Sequence, residues 1–143
     1  MLNPPKQFIV IDRNDFILKF YTEPIVGNKY EVVKKYPIAV GMVGFESPKG
    51  LFKIVKRGRN VDWQMPYSDW VPKEQQGITI PGKDPRNPIK ARWIEIYDGA
   101  GIHGTADDAS IGTRASHGCF RMHIPDVIEL FDLVKIGCGV YID

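Results

Sequence analysis

The sequence predicts a mainly β fold with one short helix, over about residues 125–135. Chain breakers are frequent, with 14 Gly and 11 Pro among 143 residues. Between them lie short runs rich in apolar and β-branched residues, the pattern of strands bounded by turns. Only the segment after Pro125 spaces its apolar residues as a helix does.

Taken in order, Gln7–Ile11 and Phe16–Tyr21 read as strands. Arg13-Asn14-Asp15 between them reads as a hairpin turn, because Asn and Asp tolerate tight-turn geometry. Glu31–Val40 is a third strand ending at Gly41, and Leu51–Val55 a fourth. Asn60–Lys90 differs: it holds five prolines, Trp63, Tyr67 and Trp70, with little periodicity. A long irregular stretch inside a compact domain is often functional. Its plainer reading is a surface loop pinned by aromatic anchors; its sharper one is a lid over a groove. Trp63, Trp70 and Trp93 are read as anchors rather than substrate platforms. Trp93–Tyr97 is a further strand, and Gly101–His103 the end of another.

In the helix, Pro125 suits the first turn, where a missing N–H costs nothing. Asp126 and Glu129 set negative charge near the positive end of the helix dipole. Val127, Ile128, Phe131 and Val134 form the buried stripe, and the helix ends near Lys135, before Gly137. Gly139–Ile142 closes the chain as a strand with Val140 and Ile142 on one face.

The length suits a single domain, 1–143, able to bury about 70% of its unfolded surface. Hydrophobic residues at 43% and charged residues at 25% are ordinary for a soluble globular protein. A net charge of +2 is too mild for a nucleic-acid binder, which concentrates basic residues on one face. No run reaches the ~18 apolar residues of a membrane span. Phe8–Ile11 is followed at once by Asp12 and Arg13, so no secretory signal is visible. Two cysteines are not a disulfide framework. Cys138 reads as a small buried hydrophobe and Cys119 as a free thiol.

The chemistry concentrates in Ile102-His103-Gly104-Thr105 and Ser116-His117-Gly118-Cys119-Phe120-Arg121. A lone thiol has a pKa of about 8.5 and is mostly protonated at neutral pH. A neighbouring imidazole corrects this by taking the proton and holding the thiolate as an ion pair. His117 and His103 are both close to Cys119 in the chain. Residues 117, 119 and 121 share parity and point to one face of an extended segment. Arg121 can fork two N–H groups onto a carboxylate. Gly118 gives the backbone room, and the N–H groups of Gly118 and Cys119 can meet an oxyanion.

His-Gly-Thr, a spacer, then Ser-His-Gly-Cys, an apolar residue and Arg resembles the signature of the YkuD-type L,D-transpeptidase catalytic domain. Ser47-Pro48-Lys49-Gly50-Leu51-Phe52 is similar to that family's Thr-Pro-x-Gly-x-aromatic segment, and Asn87-Pro88 resembles another family feature. The resemblance implies a β-sandwich with a lone helix beside it. It implies Cys119 as nucleophile, His103 as general base, and the Gly104 carbonyl as the group that orients the base. It places His117 and Gly118 at the oxyanion hole, and Ser116, Thr105 and Arg121 near the substrate. The implied reaction is attack on a peptidoglycan tetrapeptide stem between a meso-diamino acid and D-alanine. D-Alanine leaves, a thioester forms, and a neighbouring amine makes a 3→3 crosslink. With water as acceptor the enzyme is an L,D-carboxypeptidase. The resemblance further implies acylation by carbapenems, no cofactor, an extracytoplasmic location and a monomer.

Three other readings stand beside it. His103, His117, Cys119 and His123 are potential zinc ligands, but His-x-Cys is not a usual structural-zinc spacing. A non-catalytic peptidoglycan-binding module leaves the His103 and Cys119 pair unexplained. A sortase-type transpeptidase also uses His, Cys and Arg, at much wider spacing. His123 is assigned to the approach to the helix, outside the site.

Overall fold

The computed structural model describes residues 7–22, 31–97 and 99–143. Along them run strands β1 (Gln7–Asp12), β2 (Ile17–Thr22), β3 (Glu31–Pro37), β4 (Val40–Gly41), β5 (Gly50–Lys53), β6 (Lys56–Arg59) and β7 (Trp63–Gln64). There follow β8 (Thr79–Ile80), β9 (Lys90–Tyr97), β10 (Ala100–Thr105), β11 (Arg114–Ser116), β12 (Phe120–His123), helix α1 (Ile124–Leu133) and β13 (Gly139–Ile142).

Two larger sheets form the body. One has the order β3-β2-β1-β13-β5, the other β12-β10-β9-β6. The closing strand β13 inserts beside β1 in parallel, so both ends of the described chain share one sheet. Alternation decides what each strand buries. Ile9 and Ile11, Leu18 and Phe20, and Val140 and Ile142 turn inward from the first sheet. Ile94 and Ile96, Ile102, and Phe120 and Met122 turn inward from the second. These residues and the apolar face of α1 form one core. Val127, Leu130 and Phe131 of α1 are buried, each contributing roughly 1.5–3 kcal/mol by removal from water.

The mainly β fold with one helix is the observed one. The boundaries differ for local reasons. β2 starts at Ile17 because Phe16 has a positive φ of 58° in the turn. That turn is held by Asp12, whose Oδ1 accepts the N–H groups of Asn14 and Asp15. The expected strand Glu31–Val40 splits at Pro37, which has no N–H to offer the ladder. Beyond it Ala39 bridges to Arg121, carrying the chain towards the second sheet. The helix stops at Leu133, where the Arg57 guanidinium donates to the carbonyls of Phe131 and Val134. Among the described residues no helix is long and apolar enough to cross a membrane.

Candidate active site

The outward face of the second sheet floors a cleft of about 780 Å³. Register fixes what stands on it. Arg121 pairs with His103, and His103 with Trp93, so the three side chains share the face away from the core. Cys119 sits one residue before the Ile102–Phe120 pair, beside Gly101, and Gly101 pairs with Glu95. Cys119, His103, Arg121, His117 and Ser116 all line this cleft.

His103 is 6% exposed. Burial pushes its pKa down to about 4, with the Arg121 charge adding to the fall against the Gly104 hydrogen bond. The ring is therefore neutral at pH 7. Its Nδ1 lies 2.8 Å from the Gly104 carbonyl oxygen. A carbonyl only accepts, so Nδ1 carries the hydrogen and Nε2 keeps its lone pair, the tautomer of a general base. Burial pushes the Cys119 thiol up, opposed by backbone hydrogen bonding at Gly101 and by Arg121. Burial thus disfavours the charge on both groups and opposes the expected thiolate–imidazolium ion pair at rest.

The turn before Cys119 is braced on both sides. Gly118 has a φ of +119°, which a side chain rarely tolerates. Its carbonyl accepts from the Ser47 hydroxyl at 2.7 Å. Its N–H donates to Ser116 Oγ at 3.2 Å, and the Ser116 hydroxyl donates to the Cys119 carbonyl. The Gly118 N–H, expected to face an oxyanion, is thus turned towards Ser116. His117 is held between two rings, stacked on Trp70 at 3.7 Å and met edge-on by Phe45 at 4.9 Å.

The irregular segment supplies the opposite wall. Val61, Asp62, Trp63, Gln64, Ser68 and Trp70 all face the cleft, which favours the lid reading over the plain surface loop. Trp63, Trp70 and Trp93 all line the cavity, Trp93 buried and Trp70 partly open to solvent. The segment is tied down by fully buried Asn87. Its amide donates to the carbonyls of Val61, Ile80 and Pro81, and its Oδ1 accepts from Ile89 N–H.

A family profile for the YkuD L,D-transpeptidase catalytic domain matches residues 6–142. The chain belongs to the L,D-transpeptidase catalytic-domain family. It is 38% identical over 113 residues to the Bacillus subtilis protein YkuD, covering 78% of this chain and 54% of that one. The chain thus spans about half the length of that curated relative. The solved catalytic domain of the Enterococcus faecium L,D-transpeptidase matches with a TM-score of 0.71 at 21% identity, over 96% of this chain and 97% of that one. The L,D-transpeptidase LdtMt1, solved in complex with imipenem, matches with a TM-score of 0.73 at 16% identity, over 97% and 59%. At these identities the structural likeness is one of fold.

Set against the L,D-transpeptidase signature, the cleft gathers most of the residues read from the sequence. Thr105 is not among the lining residues; it is buried, and its hydroxyl accepts the Asp107 N–H at 3.0 Å. Gly104 enters through its carbonyl alone. His123 stands outside the cleft, 2.7 Å from an Asp108 carboxylate oxygen. Cys138 is a free, buried core thiol. Among the described residues no group of three or more His, Cys, Asp or Glu gathers to hold a metal. Sequence reasoning gave no role to Phe45 or Glu95. It noted the Ser47 and Asn87 motifs without seeing that one braces the cysteine turn and the other ties the lid.

Proposed function

We propose that this domain is a cysteine-dependent L,D-transpeptidase acting on peptidoglycan tetrapeptide stems, with no cofactor. The observation that carries it is the placement of Cys119 in one cleft with a neutral His103 whose Nδ1–H is held by Gly104. Cys119 attacks the carbonyl of the bond between the meso-diamino acid and D-alanine. Its proton passes to Nε2 of His103 as the S–C bond forms, and from there to the departing D-alanine amine. Backbone N–H of Cys119 meets the oxyanion, since that of Gly118 is turned to Ser116. Arg121, 22% exposed at its side chain and 3.9 Å from Asp107, holds a substrate carboxylate. Ser116 and His117 shape the cysteine turn, and a neighbouring stem amine resolves the thioester into a 3→3 crosslink. Carbapenem-type inhibitors acylate the same thiol. The location is extracytoplasmic, where these stems are found, and the domain acts as a monomer.

Incubation with a defined tetrapeptide stem, read by mass, tests this. A crosslinked dimer and a thioester-bound enzyme are expected, both lost in Cys119→Ala. Conversion to tripeptide alone would assign the carboxypeptidase reaction instead. Full turnover by Cys119→Ala would refute the nucleophile.

A further inference from the structure

We infer that Glu95 binds the acceptor: its carboxylate holds the ammonium of the incoming amine on the side of the thioester away from Arg121. This rests on the acyl-enzyme reading above. The cleft floor carries two parallel rows of side chains set by register. One runs Arg121, His103, Trp93, Gly58; the other runs Cys119, Gly101, Glu95, Lys56. In the second row the middle strand shows no side chain. None fits, because a Cβ on Gly101 would lie 2.1 Å from the Ile94 carbonyl oxygen. The backbone positions of Cys119 and Glu95 therefore lie about 10 Å apart, two strand spacings, with no side chain between them. That gap has room for a thioester carbonyl and an attacking amine.

The carboxylate is also aimed. The Trp93 indole N–H donates to Glu95 Oε1 at 3.3 Å, and Trp93 lies beside His103, ring centres 6.1 Å apart. Among the described residues no cation is in ion-pair contact with Glu95, although Lys56 stands opposite it on β6. Asp62, the other acid lining the cleft, is already engaged with the Gly82 N–H at 3.0 Å. A carboxylate facing a nucleophilic sulfur opposes formation of the thiolate. Such a group hinders the first half-reaction, so its use lies in the second. A bound ammonium cancels its charge as the acceptor docks beside the thioester.

In that step one proton leaves the ammonium for water. The amine lone pair forms the N–C bond, and a second proton passes from nitrogen to Nε2 of His103. The C–S bond breaks with its electron pair on sulfur, which takes the proton from His103 and restores the thiol.

The test is the ratio of crosslinked dimer to hydrolysed tripeptide, since both products drain one thioester and their ratio is independent of how fast it forms. A tetrapeptide stem serves as donor and acceptor. Glu95→Gln should lower the ratio by about ten-fold, the scale of one charge-assisted contact, while Glu95→Asp retains most of it. In the unmutated protein, the stem concentration giving the half-maximal ratio should rise with salt, as a solvent-facing charge pair requires. An unchanged ratio in Glu95→Gln, or no salt dependence in the unmutated protein, overturns the inference. The second readout holds even if the variant fails to fold. No thioester mass at all in the unmutated protein overturns the acyl-enzyme reading, and this inference with it. A thioester with an unchanged ratio overturns this inference alone.

Discussion

Following alkylation of Cys119 by iodoacetamide from about pH 5 to about pH 10 distinguishes two resting states, because only the thiolate reacts. The Cys119 thiol is pushed above its ordinary 9.0, chiefly by burial, and His103 is pushed down to about 4. The fall in His103 alone, from 6.5 to about 4, makes its imidazolium about 3 kcal/mol harder to form than a free one. The raised Cys119 thiol adds to that cost in the same direction. Both shifts oppose moving the proton from sulfur to nitrogen before attack.

The alkylation rate should therefore climb about ten-fold per pH unit through neutrality and bend only above pH 9 or so. A resting ion pair would instead hold the rate flat between about pH 5 and pH 8. A plateau in that range would refute the neutral pair and the burial argument behind it. If the climb is seen, proton transfer to His103 accompanies attack rather than preceding it. The Gly104 carbonyl then matters because it keeps Nε2, not Nδ1, ready to accept.

Asn87→Ala should destabilise the domain by about 2–4 kcal/mol, because three carbonyls and one N–H lose a buried partner; a urea midpoint equal to the parent's would contradict its role as a tie. Ser47→Ala strips the Gly118 carbonyl of its donor. It should slow acylation by about ten-fold at a stability loss of about 1 kcal/mol, and acylation at the parent rate would show that the turn needs no brace. His103 also links stability to acid. Its pKa falls from 6.5 unfolded to about 4 folded, so the unfolded chain binds the extra proton between those values. Stability then drops as pH falls from about 6.5 through about 4, by about 3 kcal/mol in total. The difference between the parent and His103→Gln unfolding free energies should shrink or reverse across that window, and a constant difference would rule the linkage out.

Short apolar runs bounded by turn residues were legible in the sequence as strands. Gln7–Ile11 carries four apolar residues in a row before Asp12-Arg13-Asn14, Gly139–Ile142 sets Val140 and Ile142 on one face, and both are strands. The helix was legible from its stripe and Pro125, but not its end, which is set by Arg57 reaching over from β6. β6 itself, Lys-Arg-Gly-Arg, carries no apolar signal, because its place on the sheet edge leaves it paired only with β9. Of the site, residues close in sequence were readable as a motif. Trp70 against His117 and Ser47 against Gly118 were not, since each contact joins segments separated by more than forty residues and depends on a fold that local pattern does not encode.

The same alternation that builds the core also builds the site. On β9, β10 and β12, Ile94, Ile96, Ile102, Phe120 and Met122 face the core. The residues between them, Trp93, Glu95, His103 and Arg121, face the cleft, with Cys119 just ahead of β12. A one-residue slip in β12 would exchange the two sets, burying Arg121 and lifting Phe120 and Met122 into the cleft. The apolar residues therefore fix Cys119 and His103 on neighbouring rows of one cleft floor. They resist the slip with the burial energy of two large side chains, roughly 3–6 kcal/mol. Fold stability and site geometry rest on one register, so a core change such as Met122→Ala should loosen the thiol's placement without touching the cleft.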